Sequence, residues 1–227
     1  MNMLKTIDKK KEILEIIICF FLMIIWTVFI GWLEVIFELN GLVPGVLAYL
    51  IPVLMLIIYV LKIEKAPIFS VGLDKICFSD IPKGLLLGFC MFVVQQIPLI
   101  IIKMDYSVYA MSPDLGYIIV MSLYCILCVG LMEELVFRGF ILQKTQVVCD
   151  SKIISIGINI LFFYAVHWSS LQFTFGEFFN IAVNVLILCL YFFKSKRKSI
   201  IPLIIAHGFY DILTSALLPI FIFLLCC

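Results

Sequence analysis

The sequence predicts an all-α, polytopic transmembrane helix bundle, and three observations carry that prediction. The first is composition: 65% of the 227 residues are hydrophobic, 14% are charged and the mean hydropathy is +1.24, whereas a soluble domain is only about half apolar. The second is the length of the apolar runs, which repeatedly approach the roughly 20 residues a helix needs to cross a bilayer. The third is charge placement, because the basic residues gather between those runs. A chain in lipid must satisfy its own backbone groups, and helices do so within one segment.

Seven spans follow in order. The basic stretch "MNMLKTIDKKKE" leads into the first, 13–37, which is longer than a signal-peptide core and lacks a small-residue cleavage site, so it is expected to be retained. The next two are expected at 43–61 and 84–102. Between them, Pro67, Gly72, Pro82 and Gly84 punctuate the longest polar connection, which has room for a short interfacial helix. The remaining four are expected at 115–140, 153–170, 177–193 and 199–225. One integral-membrane domain then covers 1–227, with a motif-bearing core at 115–225.

The connections set an orientation. With a cytoplasmic N-terminus, the inner segments hold Lys5, Lys9, Lys10 and Lys11, then Lys62, Lys65, Lys75 and Lys83, then Arg138, Lys144 and Lys152, and finally Lys194, Lys196, Arg197 and Lys198. Only Lys103 of the 16 basic residues falls outside, as the positive-inside rule requires, and the C-terminus is external. A formal net charge of +1 offers no basic field for nucleic acid, which is not an expected partner. The nine cysteines are scattered through apolar runs without the spacing of a disulfide framework, and are expected to be reduced packing residues.

Against this background "GLMEELVFRGF", 130–140, stands out. Ionisable side chains in a span are costly and usually serve ion paths, proton relays or catalysis. Glu134 and Arg138 are four apart on one helical face and neutralise each other. Glu133, rotated about 100° away, has no such partner. The only two histidines, His167 and His207, also lie in predicted spans. If the fourth helix continues to a turn at Cys149 and Asp150, Glu133 and His167 lie equally far along the chain from Asp150, and so at one level. Helical rise places Glu133 about 16 Å inside Lys144 and His207 about 13 Å beyond Lys198, so three distant segments converge on one layer. Asp211 is four residues after His207, where it orients His207 or projects beside it.

These residues resemble the CAAX protease and bacteriocin-processing family (CPBP, or Abi), whose pattern is Glu-Glu-x-x-x-Arg, Phe-x-x-x-His and His-x-x-x-Asn/Asp. The matching positions are Glu133, Glu134 and Arg138 in "EELVFR", Phe163 and His167 in "FYAVH", and His207 and Asp211 in "HGFYD". The resemblance covers 130–211, the first three spans matching only in hydrophobicity. It implies an intramembrane endopeptidase, a glutamic-type hydrolase working through a glutamate-activated water. By that carry-over Glu133 is the general base, His167 helps hold the water, His207 and Asp211 occupy the oxyanion positions, and Glu134 and Arg138 support the site. The best-described members have Asn at the position of Asp211, and an ionised aspartate cannot donate to an oxyanion. Asp211 is therefore either protonated or an orienting group for His207.

Two other readings remain. Two histidines and two glutamates supply the ligands and base for zinc-assisted hydrolysis, although the His-Glu-x-x-His motif is absent and Cys125 and Cys128 in an apolar helix are expected to be packing residues. No cofactor is needed in the first reading, and zinc belongs to this alternative. The other is a non-enzymatic immunity or binding protein, since a motif does not prove turnover.

Gln95, Gln96 and Pro98 are candidates to kink the third span and line a polar path, or to hydrogen-bond between helices, and Asn180 and Asn184 share a face in the sixth. Trp32 and Trp168 are placed as boundary anchors, and the terminal Cys226 and Cys227 as end packing. The expected partners are the lipid bilayer and a peptide or membrane-protein substrate. The compact chain suits a bacterial cell-membrane member of the family.

Overall fold

The computed structural model describes residues 8–38, 42–101, 114–167, 175–218 and 220. It is all-helical, with no strand among the described residues. We number the helices α1 (Lys9–Phe37), α2 (Leu42–Ile63), α3 (Asp80–Ile101), α4 (Leu115–Cys149), α5 (Lys152–Val166), α6 (Phe175–Lys194) and α7 (Ile201–Leu217). By length and hydropathy α1, α2 and α4 can each cross a membrane, and α5, α7 and the Phe178–Lys194 part of α6 are shorter apolar helices. The chain is a multi-pass membrane protein.

Local chemistry explains where these helices start and stop. The Asp8 carboxylate accepts from the Lys10 and Lys11 N–H groups and caps α1. Asp114 accepts from the Tyr117 N–H at the start of α4. The fourth helix passes the expected end at 140 and continues to Cys149, where Asp150 takes a left-handed conformation (φ 52°) and its N–H bonds back to the Gln146 carbonyl. Ser151 then caps α5 through the Ile154 N–H, so α4 and α5 form a tight hairpin. The fifth helix stops at Val166, short of the expected 170. Between α2 and α3, Ile68–Val71 forms a short 3-10 turn that ends at Gly72, whose φ of +79° suits glycine.

One expectation about charge needs correction. The charge pattern places Arg138 among the loop residues that set orientation, yet it is fully buried inside α4 and pairs with Glu134. Its charge is answered within the span, so it says nothing about which side of the membrane the adjacent loop occupies.

Two polar clusters fix the bundle around α4 and α7. Lys144 Nζ on α4 reaches Glu12 and Glu15 of α1 and Glu64 after α2, at 2.7, 2.6 and 2.6 Å. Arg197, before α7, binds Asp74 and Asp80 at 3.0 Å each, and the Gly72 carbonyl accepts from the Ile200 N–H. The connection after α2 therefore anchors the N-terminus of α7. The Lys75 N–H, and after it the Arg197 guanidinium, hold the exposed Asp74 carboxyl below its ordinary value of 3.8.

Close packing sets the position of α7. A Cβ on Gly88 of α3 would come within 2.5 Å of the Ala206 carbonyl, and one on Gly208 of α7 within 2.6 Å of Ile126 Cα. Small residues let helices approach this closely in membranes. Around them Leu135, Ile141, Leu142, Leu188 and Leu203 are completely buried.

Candidate active site

Glu133 lies between two wide, π-helical stretches of α4, Cys125–Gly130 and Glu134–Ile141. Such turns are frequent at functional sites, because the i→i+5 pattern bulges the helix and frees backbone groups for other partners. Phe137 illustrates this. Its carbonyl accepts from the Leu142 N–H and also from Asn159 Nδ2 of α5 at 2.8 Å, which pins the bulge to the neighbouring helix. Asn159 is completely buried.

The motif residues come together at this bulge. Glu133 is 5% exposed, and its two carboxylate oxygens face two imidazoles: Oε1 is 3.7 Å from His167 Nε2, and Oε2 is 3.4 Å from His207 Nε2. His167 is the residue at which α5 ends, and its Nδ1 is 2.8 Å from the Phe163 carbonyl. Phe163 stacks on the His167 ring with centroids 4.6 Å apart. On its other contacts Phe163 meets Phe137 edge-on and carries the Arg138 guanidinium 5.0 Å from its centroid. The aromatic of the Phe-x-x-x-His pattern thus holds the imidazole and shields the arginine.

Glu134 and Arg138 pair at 2.8 Å with both side chains fully buried. The same Glu134 oxygen is 2.7 Å from His207 Nδ1. Of the two expectations for Asp211, orienting His207 or projecting beside it, the distance favours the second: it lies 3.8 Å from His207 Nε2, too far for a direct hydrogen bond. Glu134 is thus the residue that orients His207, and Asp211 stands beside the outer nitrogen. The reason is rotational: α7 turns Nδ1 towards α4, and the carboxylate on its own helix is left on the cavity side.

These groups border a cavity of about 280 Å³, lined by Glu133, His167, His207 and Asp211 and by further polar side chains: Tyr49 of α2, Gln95 of α3, Asn180 and Asn184 of α6, and Tyr210 of α7. Tyr210 Oη donates to Gln95 Oε1 at 2.7 Å and accepts from Gln96 Nε2 at 3.2 Å. Gln95 and Gln96 therefore join helices as well as line a polar path. Tyr49 and Tyr210 carried no signal in the sequence, since a tyrosine in an apolar helix is unremarkable until its neighbours are known.

Residues 115–213 match the family model described as type II CAAX prenyl endopeptidase Rce1-like. The match covers less than half of the chain and is a likeness to that family. The matched residues run from the start of α4 to Leu213 of α7 and contain Glu133, Glu134, Arg138, His167, His207 and Asp211. No curated protein and no solved structure matches the chain.

Other expected features are placed as follows. Cys125 and Cys128 are buried free thiols in the first wide turn of α4, and all the cysteines among the described residues are free. No group of three or more His, Cys, Asp or Glu among the described residues could hold a metal ion as placed. Trp32 is 54% exposed on α1. Helix α3 runs through Pro98. Trp168, Cys226 and Cys227 lie outside the described residues.

Proposed function

We propose that the protein is an intramembrane endopeptidase that hydrolyses peptide bonds with a water activated by Glu133. The observation that carries this reading is the buried Glu133 carboxylate facing two imidazole nitrogens at 3.7 and 3.4 Å on the wall of a polar cavity. At those separations one water can touch both Glu133 Oε1 and His167 Nε2. Glu133 takes a proton from that water as the hydroxide oxygen bonds to the substrate carbonyl carbon. It then returns the proton to the departing amine as the C–N bond breaks.

Charge develops on the carbonyl oxygen, and His207 Nε2 is the donor proposed to meet it. Donation there, together with Nδ1–H donation to Glu134, requires the imidazolium form. Glu134 therefore has two tasks, holding the ring and opposing its charge, while Arg138 balances Glu134. Asp211 shares the oxyanion side in its protonated form, since only then does it donate. The substrate is a hydrophobic peptide or a membrane-associated protein, processed in peptide maturation or bacteriocin self-immunity in a bacterial cell membrane. The N-terminus is cytoplasmic.

The test is cleavage of a quenched fluorescent peptide library by the detergent-purified protein, comparing wild type with Glu133→Gln, each with and without a chelator. Turnover that disappears in Glu133→Gln and survives chelation is expected. Loss on chelation would transfer the reading to metal-assisted hydrolysis, and equal signals from both proteins would leave a binding protein.

A further inference from the structure

Two amide side chains on the cavity wall have polar atoms that the proposed machinery does not use. Gln95 is 3% exposed and its Nε2 has no hydrogen-bond partner among the described residues. Its orientation is set, because its Oε1 accepts from Tyr210 at 2.7 Å, leaving the NH₂ group as the idle end. Across the cavity on α6, Asn184 has a buried Oδ1 that is likewise without a partner among the described residues. One is an orphaned donor and the other an orphaned acceptor. Buried amides are rarely left so, and each exception asks for an explanation.

We propose that Gln95 and Asn184 bind the backbone of the peptide substrate, Gln95 Nε2 donating to a carbonyl and Asn184 Oδ1 accepting from an N–H on residues flanking the bond to be cut. This rests on the peptidase reading above. A peptide backbone presents a donor and an acceptor at every residue, whatever its side chains, and it is the ligand whose chemistry answers both orphans at once. Lipid chains answer neither. The arrangement also suits a substrate drawn from a membrane, whose unwound backbone loses its own helix bonds and needs replacements away from water. Specificity gained this way is for an extended backbone rather than for a sequence, and both residues are positioning residues.

The experiment uses the library peptide that the wild type cleaves best, resynthesised as a series in which single backbone amides are replaced by esters, which removes one N–H at a time. With the unaltered protein, one ester position other than the scissile bond is expected to lower kcat/KM about tenfold. Asn184→Leu, close in shape to Asn, is expected to lose about tenfold on the all-amide peptide and nothing further at that ester position, so that the two losses do not add. Gln95→Met is expected to raise KM with little change in kcat, and to remain additive with the ester. Losses that add for Asn184→Leu at every position, or an ester series without effect on the unaltered protein, would overturn the backbone clamp while Glu133-dependent cleavage stands. Absence of Glu133-dependent cleavage would overturn the peptidase reading and the clamp together.

Discussion

Replacing Arg138 with Met tests the buried ion pair most directly. Arg138 and Glu134 have no exposed side-chain surface, and one hydrogen bond of 2.8 Å joins them. Met matches the length of the arginine stem, so the packing loss is small and the main effect is a buried carboxylate that loses the guanidinium and keeps only His207 beside it, 2.7 Å away. Removing one partner of a buried pair typically costs about 3–5 kcal/mol. Arg138 makes a single bond to Glu134 rather than a two-pronged one, and Nε and Nη2 have no partner among the described residues. The lower end, about 3 kcal/mol, is therefore expected. At 2–4 °C per kcal/mol for a chain of this size, the melting temperature falls by roughly 6–12 °C. A thiol-reactive fluorogenic dye reads this in detergent, because Cys125, Cys128 and Cys189 are buried and react only on unfolding. Adding Glu134→Gln removes the stranded charge and keeps an acceptor for His207 Nδ1, so the double variant should melt above Arg138→Met. A single variant that melts within 2 °C of wild type, or a double variant whose losses simply add, would refute the reasoning.

Other expectations concern packing, tethering and pH. Gly208→Ala places a Cβ 2.6 Å from Ile126 Cα and 2.9 Å from the Cys125 carbonyl, backbone atoms that cannot swing aside. About 1–3 kcal/mol of overpacking should follow, with a lower melting temperature and a lower kcat as α7 carries His207 away from Glu134; an unchanged enzyme would contradict the close α4–α7 packing. Lys144→Met strands the carboxylates of Glu12 and Glu64 and leaves Glu15 with Lys11 at 3.5 Å, for a loss of about 2 kcal/mol at this partly exposed site. Glu64→Gln in that background should then raise the melting temperature, and a further fall would deny the tether. Asp74 should titrate below 3.8 in a carboxyl-carbon NMR experiment and move back towards 3.8 in Arg197→Gln. Because its folded value is lowered, the stability it contributes is complete above 3.8 and lost as the pH falls through that lowered value. A midpoint at or above 3.8 would remove the loop contact.

The parts legible in the sequence were those governed by local geometry. Bundle class follows from apolar length and composition, because lipid forces backbone groups to pair within a segment. Glu134 with Arg138 follows from a four-residue spacing on one helix, and the level of Glu133 against His167 follows from helical rise through a hairpin turning at Asp150. The bond between Glu134 and His207 was not legible, because a spacing of four residues on one helix leaves Asp211 free either to orient His207 or to project beside it. Which nitrogen meets which carboxylate depends on how far α7 is rotated about its axis and how closely Gly208 lets it approach α4, quantities that periodicity does not carry. The same holds for Asn159 on the Phe137 carbonyl and for Gln95 held by Tyr210 with its amide nitrogen left idle. A sequence specifies which groups a helix bears at what depth, and only the packed bundle decides which of them face each other, because side-chain contacts between helices are settled by rotation and separation together.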